Sequence, residues 1–101
     1  MAGETILVVD DDRDNREFLC EYILKPNGYE TIAAHNGELG LALALREKPD
    51  LIILDLRMPK MTGLEVLAAV KKLWPETEVI VMTAFAEARD AVDAMRGGAY
   101  D

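Results

Sequence analysis

Three unbroken apolar runs of strand length stand out along this chain: Ile6-Leu7-Val8-Val9, Leu51-Ile52-Ile53-Leu54 and Val79-Ile80-Val81-Met82. Runs without polar alternation suit strands covered on both faces, as in a parallel sheet with helices on each side. They predict strands over Thr5 to Val9, Leu51 to about Asp55, and Val79 to Met82, and Tyr29 to Ala34 reads as a further strand. Between the strands the apolar positions change period. Phe18, Leu19, Tyr22 and Ile23 recur at helical spacing through Lys25; Leu39, Ala42, Leu43 and Arg46 trace a second helix. Leu64, Leu67, Val70 and Trp74 mark a third, and Ala88, Ala91, Val92 and Met95 stand at i, i+3, i+4 and i+7 of a fourth. Pro26-Asn27-Gly28, Pro49, Pro75 and Gly97-Gly98 are the stops.

Strict alternation of strand and helix predicts an α/β fold, a doubly wound parallel sheet with right-handed crossovers. With 101 residues the chain makes one domain, spanning 1-101, and its half-hydrophobic composition supplies a core without staples. The single Cys20 excludes an internal disulfide and, on an amphipathic helix, reads as a packed thiol in a reducing compartment. No apolar run approaches the roughly 20 residues that span a bilayer, and Met1 to Thr5 lacks the basic start of a secretory signal. A cytoplasmic chain without membrane contact is expected.

Nineteen acidic residues against eleven basic leave a net charge of −8, which argues against direct nucleic-acid binding. The placement of the acids says more. Asp10-Asp11-Asp12 follows the first apolar run, and Asp55 ends the central one, with Pro59 barring regular continuation. In open α/β sheets ligands bind beyond the carboxyl ends of the strands. Neighbouring strands lie about 4.8 Å apart, so adjacency of these two would crowd Asp10, Asp11 and Asp55 into one pocket. A divalent cation relieves that repulsion, and all-oxygen ligation with few protein ligands suits Mg²⁺. Zinc is disfavoured, because His35 and Cys20 are the lone residues of their kinds; His35 is read as exposed at a strand end. Asp11 or Asp12 can cap the helix that follows. An Asp carboxylate can attack phosphorus to form an aspartyl phosphate, a reaction that needs positioning and charge neutralisation. Thr83 ends the strand expected beside the central one and could donate a hydrogen bond there, although for Thr83 taken alone β-propensity and helix capping are the favoured account.

Three segments, Ile6 to Asp12, Leu54 to Gly63 and Val79 to Ala84, together resemble the receiver domain of two-component response regulators. The resemblance implies a flavodoxin-like receiver fold with strand order 2-1-3-4 over the strands present. It implies that Asp55 accepts a phosphoryl group from a phosphohistidine on a sensor histidine kinase and thereby controls an output domain or downstream partner. Asp10, Asp11, Asp55 and the backbone carbonyl of Arg57 would hold Mg²⁺. Thr83 would be the switch hydroxyl beside small Ala84, with Arg57 and Phe85 tuning the lifetime of the aspartyl phosphate. The segment Ala91 to Asp101 is similar to receivers of nitrogen-regulatory transcription activators.

The chain departs from that pattern at its end. The family's fifth strand, with a switch aromatic and a Lys-Pro pair, and its fifth helix are not in the 101 residues. Tyr100 is not that aromatic, and Lys60, Lys71 and Lys72 sit in the wrong elements to replace the lysine. Reduced phosphorylation is therefore expected, together with self-association through an exposed fourth strand or reduced stability, since the missing helix would uncover the sheet beside the first helix. Two other readings stay open. One is a Mg²⁺-dependent phosphohydrolase, against which Arg57 stands where a second acid would follow the nucleophile by two residues; the other is a receiver-like interaction module that works without phosphorylation.

Overall fold

Four parallel strands form one sheet in the order β2-β1-β3-β4, where β1 is Thr5–Val9, β2 Glu30–Ala34, β3 Leu51–Asp55 and β4 Glu78–Met82. The computed structural model describes residues 3–55 and 63–82. The sheet has the expected order, with the Leu51–Leu54 run at its interior between β1 and β4. The fourth helix read at Ala88 to Met95, together with Arg57, Lys60, Thr83, Phe85 and Tyr100, lies outside the described residues.

Side chains alternate across a strand, and here the alternation feeds two cores. Leu7, Val9, Ile52, Leu54 and Val79 point to one face, where α2 (Gly37–Glu47) and α3 (Gly63–Leu73) bring Ala44, Val66, Leu67 and Val70. Ile6, Val8 and Ile53 point to the other, where they meet Cys20 and Leu24. α2 approaches β1 closely at Gly40: a Cβ there would stand 2.8 and 2.9 Å from the Val9 Cγ atoms. Asn36 starts α2 by accepting a hydrogen bond from the Leu39 N–H at 2.8 Å, and Lys48 ends it in the left-handed region at φ 48°.

The first helix differs from the sequence reading. It is α-helical only over α1 (Arg13–Glu17), continues as a π-helical segment over Phe18–Leu24, and ends in a 3₁₀ turn at Lys25–Asn27 before left-handed Gly28. The Lys25 N–H donates to the Cys20 carbonyl, the i→i+5 bond of that wider winding. A helical stripe of Phe18, Leu19, Tyr22 and Ile23 was the expectation. In the structure Cys20 and Leu24 are buried and Leu19 half-buried, whereas Phe18, Tyr22 and Ile23 are 56%, 67% and 40% exposed. The physical reason is the change of period: each π turn takes an extra residue, which rotates the later positions off the face a 3.6-residue repeat assigns them. Cys20 is packed, as expected, and burial pushes its thiol pKa up, with a hydrogen bond to Thr31 acting in the opposite direction.

Candidate functional site

At the carboxyl end of the sheet, register brings the acids together. β1 and β3 pair Val9 with Leu54, so Asp10 and Asp55 follow on neighbouring strands. Asp10 continues the ladder beyond β1 by donating its N–H to the Ala34 carbonyl at 3.1 Å. Its side chain is fixed too: Oδ1 accepts the Asp12 N–H at 2.9 Å, and the residue is 2% exposed. Arg16 reaches back from α1 and donates from Nη1 to the Asp10 carbonyl oxygen at 2.9 Å. That contact tethers the helix start to the strand end, and no periodic signal in the sequence announces it.

The neighbouring acids divide the work. Asp12 is the helix cap: its Oδ1 accepts from the Asp14 N–H at 2.8 Å and the Asn15 N–H at 3.5 Å. Asp11, exposed, instead turns toward the cluster. One carboxylate oxygen from each of Asp10, Asp11 and Asp55 lies within 4.8 Å of the others. Burial falls from Asp10 on the floor, through half-buried Asp55, to Asp11 at the rim, which leaves the cluster open to solvent on one side. The donor set fits a hard divalent cation. Two oxygens across one Mg²⁺ stand about 4.2 Å apart, twice a bond of about 2.1 Å, so small side-chain rotations suffice for a common ion.

Other expectations divide similarly. His35 is exposed just after β2, as read. Lys71 lies at the far end of α3 and donates from Nζ to the carbonyls of Pro75 and Thr77 at 3.2 and 2.5 Å, well away from the acids. No helix among the described residues is long and apolar enough to cross a membrane.

Comparison with known proteins bears on the whole chain. The family model for the response regulator receiver domain matches residues 6–101. Regulatory protein AtoC of Escherichia coli strain K12 is 41% identical over 100 residues, 99% of this chain and 22% of its own length. Sporulation initiation phosphotransferase F of Bacillus subtilis strain 168 is 40% identical over 87 residues, covering 86% of this chain and 69% of that protein. The structure of the Vibrio cholerae chemotaxis protein CheY4 superimposes with a TM-score of 0.88 at 30% identity, covering 97% of this chain and 82% of that one. The chain thus spans about a fifth of the regulatory protein and four fifths of the chemotaxis protein.

Proposed function

The chain belongs to the response regulator receiver domains, and from that premise we propose that Asp55 is its phosphoacceptor. Receivers are signalling domains rather than enzymes acting on a separate substrate, so any hydrolysis concerns the domain's own aspartyl phosphate. An Asp55 carboxylate oxygen attacks phosphorus of a phosphohistidine on a sensor histidine kinase. The new O–P bond forms as the N–P bond breaks, and the imidazole keeps the electron pair. Asp10, Asp11 and Asp55, with the backbone carbonyl of Arg57, would hold Mg²⁺, which when bound would supply charge neutralisation for the phosphoryl oxygens. The Asp12 N–H fixes the orientation of the Asp10 carboxylate, and Arg16 holds the helix start against the same loop. Thr83 supplies the switch hydroxyl that registers the phosphate. The observation supporting this assignment is the convergence of three carboxylates within 4.8 Å on two paired strand ends.

The remaining partners follow from the same reading. Residues 1–101 act as one receiver domain in the cytoplasm, where Cys20 stays reduced, and pass the signal to an output domain or downstream protein. With a net charge of −8 the domain makes no direct contact with nucleic acid. It also associates with itself; among the described residues β4 pairs only with β3, and its outer edge is the surface that the apolar run singles out.

Intact-mass measurement after treatment with a small acyl phosphate and Mg²⁺ tests the assignment. One labile phosphate is expected, and Asp55→Ala abolishes it; an equal yield in Asp55→Ala would overturn the choice of acceptor. In parallel, NMR titration with Mg²⁺ should show weaker binding to Asp11→Asn. Unchanged affinity there would remove Asp11 from the ligand set.

A further inference from the structure

Three hydrogen bonds fix Asp10, each a different part of it. Its N–H donates to the Ala34 carbonyl at 3.1 Å, which sets the peptide plane entering the residue. Its Oδ1 accepts the Asp12 N–H at 2.9 Å, which sets the carboxylate. Its carbonyl oxygen accepts from Arg16 Nη1 at 2.9 Å, which sets the peptide plane leaving it. A peptide group is planar, so holding the planes on both sides of a Cα holds both soft dihedrals of that residue. The outgoing plane runs to Asp11. The rotation that places exposed Asp11 beside buried Asp10, with their carboxylate oxygens within 4.8 Å, is therefore held by a side chain six residues further on.

Arg16 is built into the same turn at both ends. It is half-buried on α1, and its backbone N–H donates to the carbonyl of the capping residue Asp12 at 3.0 Å. A guanidinium presents its donors in a rigid plane, which fixes the direction of a bond as well as its length. Nη1 goes to a neutral carbonyl, so it orients the turn without occupying a carboxylate oxygen. We propose that Arg16 is a positioning residue for the divalent cation: by pinning the Asp10–Asp11 peptide it holds the floor and rim carboxylates in place before the cation arrives. The inference rests on the cation reading above. Charge and position make opposite demands here. A positive group close to the acids opposes a cation, so on charge alone removing Arg16 would tighten binding. Loss of the pinned peptide would weaken it. The sign of the change separates the two.

An NMR titration of the 101-residue chain with Mg²⁺, read at the Asp10 and Asp11 amides, decides it. Arg16→Ala should weaken binding about tenfold, the lower end for groups that orient metal-binding side chains. Arg16→Lys, which keeps a long donor, should recover most of that loss. Arg13→Ala removes an equal charge from an exposed position in the same helix and should leave the affinity unchanged or slightly tighter. Leu24→Ala removes a buried contact of the continuing helix and should leave it unchanged. An affinity that Arg16→Ala leaves unchanged or tightens overturns the positioning role and leaves the cation site standing. Weakening in Arg13→Ala or Leu24→Ala equal to that in Arg16→Ala overturns it too, since a general loosening of the helix would then carry the effect. A lysine variant as weak as the alanine one overturns the hydrogen bond as the cause. A parent chain that binds no Mg²⁺ overturns the cation site and the inference together.

Discussion

The two faces of this sheet are built from the same strands and differ in how they are covered. Among the described residues, two regular helices meet a core of ten buried residues on one face, and one helix of mixed winding meets five on the other. Every second side chain of β1 goes to each, so composition does not separate them: Leu7 and Val9 serve the first, Ile6 and Val8 the second. What differs is the partner surface. α2 and α3 present small or well-matched residues to the strands, down to the bare backbone of Gly40 against Val9. The first helix turns Phe18 and Tyr22 outward and leaves a groove beside Leu24.

The largest expected effect tests that contrast directly. Leu67→Ala, fully buried between α3 and the sheet, should cost about 2–5 kcal/mol in urea unfolding, while Leu24→Ala should fall at or below the low end of that range because the groove already adjoins it. Equal losses would mean that the faces are equally packed. Gly40→Ala comes next. Overpacking against Val9 costs about 1–3 kcal/mol and the helix gains about 1 kcal/mol from alanine, for a net loss of about 0–2 kcal/mol in the same measurement. Asp12→Ala removes the cap of the thinner cover and should cost about 0.5–2 kcal/mol. Its amide exchange should quicken over residues 13–24 and stay unchanged in α2.

The smallest effect is a pH dependence. Burial raises the Cys20 thiol, so the folded chain holds that proton more tightly than the unfolded chain. This contribution is complete below the ordinary thiol range, about pH 8.5. It declines as pH rises from there toward the raised folded value. Unfolding midpoints at pH 8 and pH 10 should differ less in Cys20→Ala than in the parent; an unaltered difference would assign the slope to other groups.

Much of this was legible in the chain. Ile6 to Val9 and Leu51 to Leu54 announce buried parallel strands because nothing polar interrupts them, and Asp10 and Asp55 announce a site because acids end both. The three carboxylates meet because adjacent parallel strands carry their ends to the same side of the sheet. The division of labour between Asp11 and Asp12 was not legible, since either can cap a helix; the turn made by the Asp12 N–H onto Asp10 assigns the cap to Asp12. The first helix misled for a different reason. Its stripe fits a 3.6-residue period, and no glycine or proline before Pro26 betrays the wider winding that turns Phe18 and Tyr22 to solvent.

The register of β1 against β3 has a further consequence. A slip by one residue would turn every side chain to the wrong face, so packing forbids it. A slip by two would return each side chain to its own face while carrying Asp10 about 6.6 Å away from Asp55, at about 3.3 Å per residue. The core thus fixes only the parity of the register. The integer is set by a contact that distinguishes one residue from the next: Asp50, just before β3, accepts the Thr5 N–H at its side chain and donates its own N–H to the Thr5 carbonyl, both at 2.9 Å. Asp50, at the opposite end of the sheet, is in this sense a counting device for the acidic cluster.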